Sequence, residues 1–146
     1  MDRAVEDVLE EYHGRAAREA ERMAALTTDA FGAVRDEFLL PVGPQTGRML
    51  HLLATGAGAT RLLEIGTSYG YSTVWLADAA RATGGSLVSI DLRAEKQAYA
   101  AERLERAGLR GQVEFRAGDA LEIVAELAGP FDFVLIDAWK TTYVPC

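Results

Sequence analysis

The apolar residues at the start of the chain recur every three or four positions, which is the spacing of an amphipathic helix. The pattern begins after Asp2, whose side chain can cap a helix by accepting a hydrogen bond from a free backbone N–H. Gly14 lies inside the pattern, so we expect an interruption that divides the helix in two. The first piece is expected to pack on the domain or on a partner through Val5, Val8, Leu9 and Tyr12.

Two further helices are predicted before the pattern changes. Thr28 can cap a short helix that continues to Phe38. A turn rich in proline and glycine, residues 41–44, then precedes a helix over residues 45–54. Residues 1–55 are therefore predicted to form an N-terminal helical region.

From residue 60 onward, short apolar runs alternate with amphipathic stretches. This alternation is typical of parallel sheets, in which a helix connects each strand to the next parallel strand. We predict one α/β domain over residues 1–146, in which residues 60–146 form the first four strands of a doubly wound, Rossmann-like parallel sheet. The predicted strands are LLEIG, SLVSID, QVEFRA and FDFVLID, and the predicted helices cover residues 72–82, residues 93–107 and a short segment after Asp119.

The fourth predicted strand, FDFVLID, is apolar on both faces, as is typical of a central parallel strand. No further strand pattern follows it before Cys146, so a strand from outside this sequence is expected to pair with its outer edge. We therefore expect a C-terminally incomplete domain that is completed by another chain or by a second copy.

The composition narrows the classes of protein to consider. The chain is 49% apolar and 25% charged, and it lacks an apolar run of the about 18–20 residues that a membrane-spanning helix needs. A net charge of -7 argues against nucleic-acid binding, which depends on Lys and Arg. Cys146 is the single cysteine, and the N-terminus does not resemble a signal peptide. A cytoplasmic protein with no nucleic-acid or membrane partner is expected.

The candidate chemistry lies in the turns after the strands, because ligands of open parallel sheets bind where the strand order reverses. The first turn contains Gly66 and Gly70, which allow close approach of a ligand or a positive φ. Ser68 interrupts the G-x-G-x-x-G pattern, which argues against a nicotinamide-dependent oxidoreductase. The E-x-G-x-x-x-G turn suits a ligand without phosphates, such as S-adenosylmethionine (SAM), although the same glycines can serve packing alone.

Acidic residues end the later strands. Asp91 can accept hydrogen bonds from both ribose hydroxyls of an adenosine, or it can cap a helix. Asp119 can face an adenine amino group or cap the next helix. Asp137 can bind a divalent cation, Trp139 can cover a planar substrate, and Lys140 can act as a base. An ordinary strand end with a surface Trp and Lys is the less favoured alternative for these last three residues.

Four segments together resemble the catechol O-methyltransferase-like family of SAM-dependent O-methyltransferases, which includes bacterial members of the class I type. The likeness covers roughly Val42 to Tyr143 and is carried by LLEIGTSYGYSTVWLA, VSIDL, GDALEIV and FDFVLIDAWKTTY.

The resemblance implies a role for each matching residue. Asp91 would bind the ribose of SAM, and Asp119 with Ala120 the adenine. Lys140 would deprotonate the acceptor, and Trp139 would contact it. The methionine end would be lined by Val42, Glu64, Gly66, Thr67 and Ser72, and Asp137 would contact the cofactor and a divalent cation such as Mg²⁺.

The implied reaction is metal-assisted methyl transfer to a hydroxyl of a small, aromatic acceptor. Members of the family complete their metal site with an Asp-Asn pair at the next strand, which is absent before Cys146. The alternative is therefore a catalytically inactive SAM-binding fragment or partner subunit.

Overall fold

Four parallel strands form the sheet of the computed structural model, which describes residues 1–138. The strands are β1 (Arg61–Ile65), β2 (Ser86–Asp91), β3 (Val113–Ala117) and β4 (Phe133–Ile136). The helices are α1 (Arg3–Ala24), α2 (Thr28–Val34), α3 (Pro44–Gly56), α4 (Tyr71–Thr83), α5 (Ala94–Arg106) and α6 (Ala120–Glu126). Short 3₁₀ turns cover Arg35–Glu37 and Arg110–Gln112.

The strand order is β3-β2-β1-β4, and every neighbouring pair is parallel. The chain moves outward from β1 through β2 to β3, and β4 then returns to the opposite side of β1. The strand order therefore reverses between β1 and β4, which is where an open α/β sheet binds its ligands. The predicted α/β fold with a parallel sheet is confirmed.

Helix α1 corrects one expectation, because Gly14 does not interrupt it. Asp2 caps it as predicted, with its Oδ1 accepting a hydrogen bond from Val5 N at 3.2 Å. Tyr12 and Glu19, on either side of Gly14, are both buried. A glycine inside a helix costs about 1 kcal/mol, which is less than the burial of one large apolar side chain contributes. Packing on both sides of Gly14 therefore keeps the helix continuous.

Helix α2 corrects a second expectation. Thr27, and not Thr28, is its cap, since Thr27 Oγ1 accepts from Ala30 N at 3.3 Å. The helix ends at Val34, and the backbone is already extended at Phe38. The segment that follows α2 is therefore free to cross the carboxyl end of the sheet.

The sheet is covered unequally on its two faces. The larger core lies between the sheet and helices α1, α3, α4 and α5, and the smaller one lies beneath α6. On β4, Phe133 and Leu135 pack on the larger core, whereas Ile136 packs on the smaller one and Val134 remains 48% exposed. No helix among residues 1–138 is both long and apolar enough to cross a membrane.

Candidate active site

The turn between β1 and α4, residues 66–70, is referred to here as the glycine turn. Gly66, Ser68 and Gly70 all have left-handed backbones, with φ of 105°, 47° and 89°. A Cβ atom on Gly66 would overlap the backbone oxygen of Asp137 at the end of β4. Close contact between the turn and β4 thus requires glycine at this position, at the point where the strand order reverses.

Glu64 lies beneath the glycine turn and is fully buried. Its carboxylate accepts hydrogen bonds at 2.6 Å from the hydroxyls of Ser72, Thr73 and Ser89. Burial raises the pKa of Glu64 to about 7, the three hydroxyl donors oppose this shift, and the charge of Asp137 adds to it. The resemblance assigns Glu64 to the methionine end. In the structure its carboxylate joins β1 to Ser72 and Thr73 of α4 and to Ser89 of β2, and its contact with SAM stays a prediction.

A buried polar cluster continues from Glu64 toward β3. Thr67 Oγ1 and Ser89 Oγ lie 2.6 Å apart. The Gln97 amide on α5 donates to Thr67 Oγ1, to the Ser89 backbone oxygen and to the Arg116 backbone oxygen at 3.1–3.2 Å. Sequence analysis missed Ser89 and Gln97, although a serine within an apolar strand and directly opposite Glu64 in the register was a usable signal.

Asp91 shapes the glycine turn from the neighbouring strand. Its Oδ2 accepts from Ser68 N at 2.7 Å, and its Oδ1 accepts from Arg93 N at 2.9 Å. A carboxylate has about four acceptor positions, so Asp91 retains capacity for further donors. The side chain is only partly buried and can reach a ligand at the strand end.

Asp119 caps α6, since its Oδ1 accepts from Leu121 N at 2.8 Å. Its side chain is exposed, and neighbouring Ala120 packs on the smaller core. The structure thus shows the capping role that was one of the two alternatives for Asp119. The predicted contact of Asp119 and Ala120 with adenine stays a prediction.

A small cavity lies between the glycine turn and residues 37–42, which are referred to here as the strap. Its volume is about 20 Å³, enough for about one water molecule. Five of the predicted site residues meet at this cavity, whereas the strap residues Leu39–Pro41 and the two tyrosines were not predicted. The cavity is lined by Leu39, Leu40, Pro41, Val42, Gly66, Thr67, Ser68, Tyr69, Tyr71, Ser72 and Asp137.

Asp137 is the acidic residue of this cavity. Although part of its side chain is exposed, desolvation by the surrounding protein raises the pKa of the carboxyl above its ordinary value. Within residues 1–138, no three His, Cys, Asp or Glu side chains are grouped so that they could hold a metal ion. The predicted substrate residue Trp139 and the predicted base Lys140 lie outside the described residues.

A larger open groove of about 510 Å³ runs between α1 and α5. Its lining consists mainly of acidic and basic side chains of these two helices, and it contains neither a strand end nor the glycine turn. The carboxyl edge of the sheet is therefore the better candidate for chemistry.

Comparison with known proteins supports this assignment. The O-methyltransferase family model matches residues 15–146. The catechol O-methyltransferase of Niastella koreensis is 41% identical over 108 residues, which cover 71% of this chain and 48% of that protein. The O-methyltransferase TomG from Streptomyces achromogenes, solved in complex with SAM, is 35% identical with a TM-score of 0.71 over 98% of this chain and 56% of its own.

A Bacillus cereus O-methyltransferase in complex with S-adenosylhomocysteine (SAH) is 33% identical, with a TM-score of 0.68 over 97% of this chain and 57% of that chain. The chain thus spans about half the length of the relatives that it matches. The family match covers most of the sequence, including the glycine turn and all four strands. The chain belongs to the O-methyltransferase family.

Proposed function

We propose that the chain carries the cofactor-binding half of a SAM-dependent O-methyltransferase that methylates a hydroxyl of a small aromatic acceptor. The observation that carries this proposal is the convergence of the glycine turn, Asp91 and Asp137 at the point where the strand order reverses. The SAM and SAH complexes of similar structures support the cofactor. The name of the relative from Niastella koreensis supports an aromatic diol as acceptor.

The residues of the carboxyl edge suit the two ends of SAM. Asp91 has acceptor capacity for the ribose hydroxyls, and Asp137 offers a carboxylate to the positively charged methionine amino group. Tyr71 and Ser72 at the start of α4 line the same cavity, where free helix N–H groups favour a carboxylate. Because pockets for small ligands measure about 300–1,000 Å³, the cavity of about 20 Å³ is only one part of the proposed site, and the rest of SAM would lie along the open strand ends toward Asp91.

SAM supplies an electrophilic methyl group when it is bound. The carboxyl edge would hold SAM so that the methyl group could pass to the acceptor oxygen, with the electron pair of the broken C–S bond left on sulfur. Lys140 accepts the hydroxyl proton, and Trp139 covers the aromatic ring. The carboxyl edge contributes alignment of the two reactants. The variant Lys140→Met is expected to abolish turnover and to retain SAH binding, and an unchanged rate would exclude this role for Lys140.

The divalent cation fits the described residues only in part. Asp137 is one oxygen ligand of the type that Mg²⁺ prefers. Residues 1–138 contain no group of three such side chains, so they do not make a cation site by themselves. We keep Asp137 as one proposed ligand and assign no step of the reaction to the metal.

A second candidate function is SAM binding without methyl transfer, as a catalytically inactive fragment or a partner subunit. Methyl transfer by the purified chain to a catechol would exclude this second candidate.

The proposal is tested by calorimetric titration of the chain with SAH. We expect saturable binding that weakens at least about tenfold in Asp91→Asn, since hydrogen bonds to a charged group contribute about 1.5–3 kcal/mol. The matched control is Asp132→Asn, because Asp132 also accepts backbone hydrogen bonds but lies at the opposite edge of the sheet. A folded chain that does not bind SAH would refute the proposal, and binding of NADH instead would indicate an oxidoreductase.

A further inference from the structure

One face of helix α1 contacts both walls of the cavity. Tyr12, Arg15 and Glu19 are three and then four positions apart, so they lie on the same side of the helix. The walls are the glycine turn on one side and the strap on the other.

The contacts with the glycine turn involve Tyr69. The buried hydroxyl of Tyr12 donates to the Tyr69 backbone oxygen at 2.6 Å. The Arg15 guanidinium stacks on the Tyr69 ring, with Cζ 4.1 Å from the ring centroid. Tyr69 lies between Ser68 and Gly70, which both have left-handed backbones. Helix α1 thus fixes the turn at the peptide where its conformation is most constrained.

The contacts with the strap also involve the backbone. Glu19 Oε2 accepts from Leu39 N at 2.6 Å in a buried position, and Glu19 Oε1 accepts from Arg15 Nε at 2.6 Å. Arg15 also donates to the Glu37 backbone oxygen at 3.1 Å. Leu40, the next residue after Leu39, has a left-handed backbone with φ of 43° and lines the cavity. Glu19 therefore fixes the strap at Leu39, which itself forms part of the wall.

The start of helix α5 also contacts Asp36, just before the strap, but the Asp36 carboxylate is exposed. Arg93 and Lys96 lie 3.6 and 3.9 Å from the Asp36 carboxylate, which is 59% exposed. The Glu19 side chain is only 10% exposed. Surface ion pairs contribute little, whereas a buried N–H that loses its acceptor bears its full desolvation cost. The contacts from α1 are therefore the stronger attachment of the strap.

We infer that Tyr12, Arg15 and Glu19 are positioning residues for the methionine end of the cofactor, because together they join the two walls between which it binds. This inference rests on the proposed function. The three side chains act through the backbone of the glycine turn and the strap, and they lie outside the strand-end motifs.

The inference is tested by measuring the affinity of variants for two ligands, SAH and 5′-methylthioadenosine, which lacks the amino-acid end. We expect Arg15→Gln and Glu19→Ala each to weaken SAH binding about tenfold, as expected for loss of one backbone-positioning contact. Binding of 5′-methylthioadenosine is expected to change less than about twofold, since the nucleoside end lies at Asp91. Tyr12→Phe removes one hydroxyl from a buried ring that otherwise keeps its shape, and it is expected to weaken SAH binding in the same selective way.

The matched control is Arg18→Gln, which removes the same charge from an exposed position on α1. It is expected to bind both ligands like the unchanged chain. Glu19→Gln retains an acceptor for Leu39 N and should recover part of the loss seen in Glu19→Ala. The inference would be overturned if the Tyr12, Arg15 and Glu19 variants melt at lower temperature but bind SAH as tightly as Arg18→Gln does. It would also be overturned if these variants lose affinity equally for SAH and for 5′-methylthioadenosine. An unchanged chain that binds neither ligand would overturn the proposed function and this inference with it.

Discussion

Aspartates at the two ends of the parallel strands, called here the amino edge and the carboxyl edge of the sheet, have different surroundings. At the amino edge, Asp132 Oδ2 accepts from Thr60 N, Thr60 Oγ1 and Arg61 N at 2.9–3.0 Å. At the carboxyl edge, no donor from the described part of the chain reaches the Asp137 carboxylate within hydrogen-bonding distance. Both residues are exposed aspartates next to β4, so their difference comes from the donors around them.

The pKa values of these two groups are shifted in opposite directions. Hydrogen bonds from the Arg61 and Thr60 backbone, together with the Thr60 hydroxyl, lower the pKa of Asp132. Desolvation raises the pKa of Asp137. Asp132, which is supplied with donors, stabilises the fold, whereas Asp137, which is desolvated and receives no hydrogen bond from residues 1–138, is suited to bind a cationic group of a ligand. The difference between the edges thus distinguishes a structural aspartate from a candidate binding aspartate without reference to a motif.

The largest expected effect comes from substituting two glycines, one at each edge of the sheet. A Cβ atom on Gly66 would overlap the Asp137 backbone oxygen, and one on Gly85 would overlap the backbone of Thr60 at the amino edge. Gly66 also has a positive φ, so Gly66→Ala is expected to cost about 3–5 kcal/mol from steric overlap and backbone strain together. Gly85→Ala is expected to cost about 1–3 kcal/mol from steric overlap alone. Urea unfolding measures both values.

The variants Gly66→Ala and Gly85→Ala also distinguish an effect on folding stability from an effect on SAH affinity. The folded fraction of Gly85→Ala should bind SAH with unchanged affinity, whereas Gly66→Ala should lose binding even where it remains folded. Equal SAH affinity in the two variants would contradict a specific role for the carboxyl edge.

The buried Glu64 gives the second prediction, on pH dependence. Its folded pKa of about 7 lies above the ordinary value of 4.5, so the folded state holds this proton over a range in which the unfolded state has lost it. Stability therefore decreases as the pH rises from about 4.5 through 7, by about 3 kcal/mol at roughly 1.4 kcal/mol per pKa unit.

Urea unfolding at pH 5, 6, 7 and 8 would measure this decrease. The variant Glu64→Gln cannot ionise and should have a flatter profile over the same range. The neighbouring Asp137 also titrates, so Asp137→Asn is the control and should retain most of the slope. An identical slope in Glu64→Gln would show that another group is responsible.

The third prediction concerns Asp132 at the amino edge, where stability is expected to decrease as the pH falls. The pKa of Asp132 is lowered in the folded state, so its stabilising contribution is present above the ordinary value of 3.8 and is lost as the pH falls through the lowered pKa. The variant Asp132→Asn should therefore lose part of the stability seen at neutral pH and become less sensitive to acid. Acid unfolding followed by circular dichroism measures this, and an acid midpoint like that of the unchanged chain would contradict it.

The smallest expected effect concerns Asp119, a carboxyl-edge residue that caps a helix. Asp119→Ser retains a good cap, so stability should change by less than about 0.5 kcal/mol. If Asp119 also contacts adenine, as the family resemblance implies, SAH affinity should fall a few-fold in calorimetry. Unchanged affinity would leave Asp119 with the capping role alone.

The main features of the fold were predictable because they depend on local patterns. Strands β1, β2 and β4 appear as short apolar runs, and most of the turns between strands and helices contain glycine. The two errors, at Gly14 and Thr28, arose where packing and cap geometry outweighed local preference. A glycine penalty of about 1 kcal/mol is visible in the sequence, whereas the burial that offsets it is not.

The site was predictable to the extent that it follows a motif. Val42, Ser72 and Asp137, which the resemblance assigns to the cofactor, line one cavity, and their contact with SAM stays a prediction. The contacts from α1 were not predicted, because Tyr12 meets the glycine turn across 57 positions and Glu19 meets the strap across 20. Such long-range contacts leave no periodic signal in a single sequence.

The pairing of β1 with β4 has a consequence for how the chain reaches its fold. Arg61 and Asp132 are joined across 71 positions, and the registered pairs of these two strands have the same separation. Contacts between distant parts of a chain form slowly, since the loop between them must close first. During synthesis, β1 can pair with β2 well before β4 has left the ribosome. Among the four described strands, β4 is therefore the last to join the sheet, and the nascent chain carries an open β1 edge until that moment.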